Sequence, residues 1–180
     1  MNIYDFQGVV NLEESAGLQI EVAVADYRDI VTWPALPDLA TATANAEHVD
    51  LATEVFVMDT GKKFHKFQGS LEKNAFNSNL VGPRGAKSFE NTLTVVRNAV
   101  NKDLTGGLRA NRNRPLVVAF RPLGESQWVF LGYESLWAEV DEASMDIPGE
   151  IAGEKMTMFT VRSIFYPPFY IDAIPFTEGV

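Results

Sequence analysis

The residue types that most often carry catalytic or metal chemistry are scarce in this chain of 180 residues. It contains no cysteine, which excludes a thiolate nucleophile, an iron–sulfur cluster, a Cys-ligated zinc and a disulfide scaffold. Its two histidines are His48 and His65. Carboxylates near His48 could complete a metal site with its nitrogen, namely Glu47, Asp50 and Glu54. The sequence brings no second nitrogen ligand to this cluster, so we interpret it as a solvated acidic helix end.

Two short segments partly match motifs for nucleotide binding and acyl transfer. Residues 82–88 end in Lys-Ser like a phosphate-binding loop, but Ala86 stands where that motif requires glycine, and a strand follows instead of a helix. Residues 124–128 match the start of a nucleophile elbow around Ser126, but they lack its last glycine and lie in a hairpin turn. We therefore expect no catalytic residue, no metal and no cofactor, and we do not expect an enzyme.

Cationic residues are concentrated in two stretches. Residues 62–67 interleave lysines with aromatic residues, which is typical of single-strand nucleic-acid binders. Strand alternation, however, would put Phe64 and Lys63 on opposite faces and predicts that Phe64 lies in the core. The sequence pI of about 4.7 also opposes general affinity for nucleic acid. Three arginines within six residues suit phosphate or carboxylate partners, and we predict that they form a basic interface patch for acidic surfaces of a second copy: Arg109, Arg112 and Arg114.

The net charge of −9 is distributed very unevenly along the chain. Residues 1–60 carry eleven acidic residues and one basic residue, residues 61–115 carry eleven basic and three acidic residues, and residues 116–180 carry ten acidic and three basic residues. Such blocks are typical of chains whose copies meet head to tail, or whose basic part meets a polyanion. The alternative is that folding interleaves the blocks and evens out the surface charge.

Apolar patterns in the sequence predict a mostly β fold. With 46% hydrophobic and 22% charged residues, the chain is too apolar for wholesale disorder. Alternating or continuous apolar runs predict strands at 18–24, 88–96, 116–120, 127–131, 135–140 and 154–165, and a hairpin over 55–68. Helix signals are limited to 98–104, with an end at Gly106-Gly107, and to a short alanine-rich segment at 40–52. The fold class is therefore a β-sandwich or half-barrel with one short α-helix.

Two segments do not fit this pattern of compact strands. Residues 74–85 are polar and turn-rich, which predicts a long inter-strand loop. Residues 165–180 are aromatic and broken by proline, which predicts an extended C-terminal tail that packs on its own domain or on a neighbouring subunit. Because no linker divides the chain, we expect a single domain over 1–180, with 1–50 as an N-terminal arm. We see neither a signal-peptide pattern nor an apolar run of about 20 residues, so we expect no membrane association.

The order of these elements resembles that of the tail tube (major tail) proteins of tailed bacteriophages. The resemblance lies in the loop at 73–85, the strand at 87–95, the helix at 98–105 and the hairpin strands at 116–121 and 127–133. It is architectural and spans most of the chain from about residue 50 onward. It implies a sandwich or half-barrel subunit whose copies form hexameric rings, in which one sheet of each subunit joins a continuous inner barrel.

The resemblance also implies a function and a set of partners. Stacked rings would form the channel for the viral genome, in a virion tail assembled in the host bacterial cytoplasm. Partners would be further copies of the chain, other tail proteins, and viral DNA that passes without specific binding, as an acid-rich channel permits. The loop that reaches the adjacent ring would contain Lys73, Asn74, Phe76, Asn79 and Arg84. Three alternatives stay open: another ring-forming tail or injection-system component such as a terminator or baseplate hub, a monomeric β-barrel binding module, and an enzyme.

Overall fold

The computed structural model describes residues 21–42, 44–51, 54–70, 73–121, 125–149 and 153–179. In these ranges the strands are β1 (Glu21–Asp26), β2 (Ile30–Thr32), β3 (Val57–Met58), β4 (His65–Gln68), β5 (Ala75–Val81), β6 (Ser88–Arg97), β7 (Leu116–Arg121), β8 (Trp128–Leu131), β9 (Glu139–Asp146), β10 (Met156–Phe165) and β11 (Phe169–Ile171). The α-helix α1 spans Lys102–Asn111, and short 3₁₀ helices span Tyr27–Asp29 and Asn45–His48. The prediction of a mostly β, sandwich-like fold is confirmed.

A five-stranded antiparallel sheet with the order β11-β8-β7-β1-β4 lies at the centre of the molecule. Its middle strand, β7, is the continuous apolar run at 116–120, and all five of these residues are buried. The run is continuous because both faces of the strand are covered. Val118 and Phe120 belong to the core on one face, and Val117 and Ala119 to the core on the other.

A four-stranded antiparallel sheet with the order β5-β6-β10-β9 covers one face of the central sheet. Aromatic pairs join the two sheets: the Phe67 and Phe159 rings lie 5.0 Å apart between centroids, and the Phe76 and Phe120 rings 4.7 Å. The inner residues of β6 and β10 alternate with outward-facing ones, as a strand with one buried face requires. These inner residues include Leu93, Val95 and Val161.

The other face of the central sheet is covered by residues of the 27–58 segment and by the C-terminal tail. Phe56 and Phe64 pack there with their ring centroids 5.3 Å apart, which confirms that Phe64 lies in the core. In the tail, β11 joins the sheet at its edge, and Ile171 and Ile174 are buried. The expected tail therefore packs on its own domain, at an edge where its preceding prolines interrupt no ladder.

Two predicted connections are wrong. The hairpin over 55–68 does not form, because β3 pairs with β2, and β4 pairs with β1. The long loop at 73–85 is also not a loop, since residues 75–81 form β5, which pairs with β6 from Ala75↔Thr94 to Val81↔Ser88. Only the short turn at 82–87 connects the two strands. The long inter-strand loop of the predicted fold is thereby replaced by a β-hairpin.

Three predicted elements are displaced. The helix expected at 98–104 begins at Lys102, where the Asn101 side chain accepts a hydrogen bond from the Leu104 N–H at 2.9 Å, and it continues through Gly106 and Gly107 to Asn111. The strand expected at 135–140 begins only at Glu139. At 40–52 the described residues form only the 3₁₀ helix Asn45–His48, and residues 43 and 52 lie outside them. Residues 18–20 of the first predicted strand also lie outside the described residues.

We expect Gly106→Ala to stabilise the protein. A Cβ at this position would have no neighbour within 4 Å, and the helical interior favours alanine over glycine by up to about 1 kcal/mol. The control is Gly132→Ala, because Gly132 has a φ of 89° and a Cβ there would lie 2.8 Å from the Ala138 nitrogen. Urea unfolding should show a rise in the free energy of unfolding for the first variant and a fall for the second. A fall for both would mean that α1 tolerates no side chain at Gly106.

Candidate functional site

The described residues offer little for catalysis. His48 lies in a 3₁₀ helix and His65 on β4, and no described group of three or more His, Asp or Glu side chains could hold a metal ion.

A cavity of about 50 Å³ lies beneath α1 with an almost wholly apolar lining that includes Leu104 and Phe159. Ligand sites combine apolar walls with several converging polar groups, so this cavity is a poor ligand site. No helix in the described ranges is long and apolar enough to cross a membrane.

Among the residues that the structure describes, the four-stranded sheet has two open edges. Its outer strands are β5, with seven residues, and β9, with eight. Within the described ranges, no backbone hydrogen bond reaches the outer side of either strand. Every residue of β9 except Val140 is exposed. Long unpaired edges are ready templates for pairing with another chain, so these two edges are the candidate functional site.

The central sheet, by contrast, covers one of its edges with its own chain. Next to the edge strand β11, the Leu51 N–H donates to the Tyr170 carbonyl at 2.7 Å, and the Tyr170 N–H donates to the Val49 carbonyl at 2.9 Å. These bonds occupy the hydrogen-bonding groups that a neighbouring strand would use. The β11 edge is therefore closed to a further strand, unlike the described edges at β5 and β9.

The strand register defines an outer face of the four-stranded sheet. One row across all four strands consists of Asn77, Thr92, Arg162 and Glu139, and the next consists of Ala75, Thr94, Thr160 and Glu142. Residues directly opposite each other in antiparallel strands point to the same side, so these rows lie on one face. These two rows are mostly polar, the described positions of this face hold no aromatic side chain, and the row beyond Arg162 contains the exposed Ile164.

The charge of this outer face is acidic. Its one cation, Arg162, donates from Nε to the Glu90 carboxylate at 2.6 Å and is thereby neutralised. Glu139, Glu142 and Asp146 of β9 have no salt-bridge partner among the residues that the structure describes. The acidic side chains collect at the open β9 edge, whereas the outward side chains of β5 are uncharged.

Three of the residues predicted for the inter-subunit loop have structural roles inside the subunit. Lys73 forms a salt bridge with Glu154. The Asn74 Oδ1 accepts a hydrogen bond from the Val96 N–H at 2.8 Å, which ties the start of β5 to β6. Phe76 points inward and packs against β7. None of the three is available to a partner without loss of a contact within the subunit.

The other two predicted loop residues are exposed. Asn79 lies on β5 and faces outward beside Glu90 of β6, and Arg84 lies in the turn at 82–87. The alternation of polar Asn77 and Asn79 with Phe76 is the period-2 signal that could have identified β5 as a strand. No comparable signal marks β9, whose polar residues do not alternate with apolar ones.

The predicted basic patch is divided by the structure. Arg109 on α1 and Arg112 just after it are exposed, and they stay candidates for a partner surface. Arg114 instead lies 3.6 Å from the Asp26 carboxylate, whose side chain is only 6% exposed. Arg28 also binds Asp26, with 2.9 Å between Nη2 and Oδ2. Arg114 is therefore part of a partly buried ion cluster that joins the end of β1 to the start of β7.

The environment of Asp26 has opposing effects on its acidity. Burial alone would raise the pKa of its carboxyl group, but hydrogen bonds from the Arg28 side chain and backbone, with the charges of Arg28 and Arg114, lower the pKa below its ordinary value of 3.8. The charged form is thus the one that the folded state favours.

Comparison with protein-family models, curated proteins and solved structures finds no match. The two open edges and the face between them are therefore the features of this chain that bear on its function.

We expect Arg114→Glu to destabilise the fold by about 1–3 kcal/mol, because it places a second negative charge beside the buried Asp26. The matched control is Arg112→Glu, the same change at an exposed position two residues away, where the effect should be within about 0.5 kcal/mol. Chemical unfolding of both variants measures the difference. Equal effects would contradict a structural role for Arg114.

The lowered pKa of Asp26 predicts a pH dependence of stability. The stabilising effect of its charge is complete above the unfolded pKa and is lost as the pH falls through the lower folded pKa. We expect the free energy of unfolding of the wild type to exceed that of Asp26→Asn at pH 7, and the gap to shrink below about pH 4. Urea titrations across that range provide the measurement, and a constant gap would refute the assignment.

Proposed function

We propose that this protein is the structural subunit of a bacteriophage tail tube, which self-assembles into stacked hexameric rings that form the channel for genome delivery. The observation that carries the proposal is the pair of open edges on the four-stranded sheet. Together with the absence of metal clusters from the described residues, it favours self-assembly over catalysis. The proposed place of action is the virion tail.

The strand directions support closure of a ring. Every neighbouring pair in the sheet is antiparallel, so β5 and β9, at opposite edges, run in opposite directions. Rotation about an axis along the strands leaves the direction of each strand unchanged. Hence β9 of one copy meets β5 of the next copy in antiparallel orientation, and the alternation continues across the seam. Repetition of this contact closes the sheets into a barrel without edges.

The outer face of the sheet suits the inner wall of such a barrel. Its free acids, Glu139, Glu142 and Asp146, would repel the phosphates of a passing nucleic acid. Its described positions hold no aromatic side chain on which a base could stack. A wall of this kind lets a polyanion pass without holding it, which agrees with DNA as a transient and not a bound partner.

The sheet edges also favour the ring over the monomeric alternatives. A binding module or an enzyme would need a ligand site with converging polar groups, and the cavity beneath α1 is almost wholly apolar. A terminator or baseplate hub would use the same ring closure, and it differs from a tube protein in whether its rings stack.

Asn77→Asp with Asn79→Asp should weaken ring closure. Both residues point outward on β5, so at the seam the new carboxylates would face Glu139 and Glu142 of the neighbouring β9. Like charges opposite each other destabilise strand pairing, and we expect the ring fraction to fall at least about tenfold. Glu139→Gln with Glu142→Gln in the same chain should restore it. Negative-stain electron microscopy and light scattering at low and moderate salt provide the measurement.

The control for this experiment is Asn113→Asp, an isosteric change at an exposed residue outside the strands, which should leave assembly unchanged. The wild type should form rings or hollow tubes. Rings that form equally well in all variants would exclude the β5–β9 seam. A wild type that stays monomeric at every concentration and salt tested would contradict the proposed function itself.

A further inference from the structure

The inner face of the four-stranded sheet contains a buried amide side chain among apolar ones. Asn91 lies on β6 and is 1% exposed, whereas the next inward residues of the same strand, Leu93 and Val95, are apolar and fully buried. Burial of a polar side chain opposes folding unless its hydrogen bonds are replaced. Leucine has nearly the same size and shape as asparagine, so the space at this position does not by itself require an amide.

The Asn91 amide connects three neighbouring strands. Its Oδ1 accepts a hydrogen bond from the Ser78 Oγ on β5 at 2.7 Å. Its Nδ2 donates to the Tyr166 carbonyl, just after β10, at 2.8 Å and to the Ser163 Oγ on β10 at 3.3 Å. Ser78, Asn91 and Ser163 lie directly opposite one another in one row of the sheet. Both amide N–H donors and the amide oxygen are therefore used, and they are used only in this alignment of the strands.

The residues of β5 contain little other information about how this strand aligns with β6. Five of its seven residues are exposed, and a strand with so little burial specifies its register weakly. Its connection to β6 at 82–87 is also longer than the two-residue turns that fix a hairpin most tightly. A shift by one residue would turn Phe76 outward and is excluded by burial. A shift by two residues keeps the same side chains inward, and the structure needs another device against it.

A shift of β5 by two residues in either direction would leave the Asn91 oxygen without its donor. Ser78 is the inward residue of β5 that carries a hydroxyl group, and its inward neighbours are Phe76 and Leu80. One shift would place Leu80 opposite Asn91, and the other would place Phe76 there. Neither side chain can donate a hydrogen bond, and an unpaired buried acceptor is costly. Apolar packing is non-directional and discriminates less between these alignments.

We infer that Asn91 determines the register of β5 and thereby positions the open edge of the sheet. Buried amides fix the register of coiled coils in the same way, at some cost in stability. This inference deepens the proposed function, in which β5 forms one side of the seam, and it rests on that function only for this role. A shift by two residues would move the β5 edge by about 7 Å along the sheet relative to β9 of the same copy.

The absence of cysteine from the chain allows the register to be read by disulfide trapping. Asn77→Cys with Thr92→Cys reports the observed register, because these two residues lie opposite each other on the outer face. Asn79→Cys with Thr92→Cys and Ala75→Cys with Thr92→Cys report the two shifted registers. Intact mass and non-reducing electrophoresis measure the crosslink within one chain. In the otherwise unchanged protein, each shifted pair should crosslink at least tenfold less than the first pair.

Two substitutions test the amide and its donor. Asn91→Leu should raise the yield of a shifted crosslink at least tenfold and should not lower the free energy of unfolding. A purely stabilising role would give the reverse, with lower stability and unchanged crosslinks. Ser78→Ala, at an exposed residue, should also raise the shifted yield because it removes the donor. The matched control is Ser163→Ala, which removes a hydrogen bond on the β10 side of the same amide and should leave the register of β5 unchanged.

The outcomes separate this inference from the proposed function. Crosslinks of the observed register alone in Asn91→Leu and Ser78→Ala would overturn the inference and leave the proposed function standing. If Asn91→Leu does not fold, Ser78→Ala decides. Asn91→Leu should also lower the ring yield at least tenfold, and oxidation of the Asn77→Cys/Thr92→Cys pair in that chain should restore it. A ring yield that is independent of oxidation would overturn the positioning role. A wild type without rings would refute the proposed function, whereas the crosslinks would still decide the register.

Discussion

The backbone of a β-strand carries hydrogen-bonding groups on both sides, and the need to pair them organises this molecule. In the central sheet, β7 and β1 have strand partners on both sides, and the edge strand β11 is covered by residues 49–51 of the same chain. In the other sheet, β6 and β10 are fully paired, whereas β5 and β9 are not paired on their outer sides by any described residue. Among the described residues, the β11 edge of the central sheet is thus covered, whereas both edges of the four-stranded sheet are open.

Burial on both faces of the central sheet allows the other sheet to expose one face entirely. Because residues of the 27–58 segment and the tail cover one face of β7 and the four-stranded sheet covers the other, the apolar core is complete within one subunit. The outer face of the four-stranded sheet is therefore not needed for folding, and its rows of Asn, Thr and Glu residues are free to serve a partner or a channel. This separation explains how substitutions such as those at Asn77 and Asn79 can alter assembly without altering the core.

The sequence correctly predicts the elements whose burial produces a local pattern of apolar residues. The run at 116–120 and the strand at 154–165 were recognised because covered strands are apolar on one or both faces. The partner of β3 was missed because a hairpin signal is local, whereas Val57–Met58 pairs with Ile30–Thr32 far back in the chain. At β5 the sequence predicts a loop because an edge strand with an exposed face carries Asn and Ser, which are also turn residues. Neither open edge could be predicted, since strand order depends on contacts between distant segments.

Some charges of the sequence blocks form salt bridges within the subunit, and others do not. Part of the basic block is neutralised within the subunit: Lys62 pairs with Asp29, Lys73 with Glu154 and Arg114 with Asp26. For these three residues, folding brings the basic block next to the acidic blocks. This is what the alternative of an evened-out surface charge predicts. Among the described charges without a salt bridge, acids lie along β9 and cations in the turn at 82–87, and Arg109 and Arg112 are exposed at and just after α1. Charges that are not neutralised within the subunit are the ones that can direct a contact between copies, so the position of each such charge is more informative than the total charge.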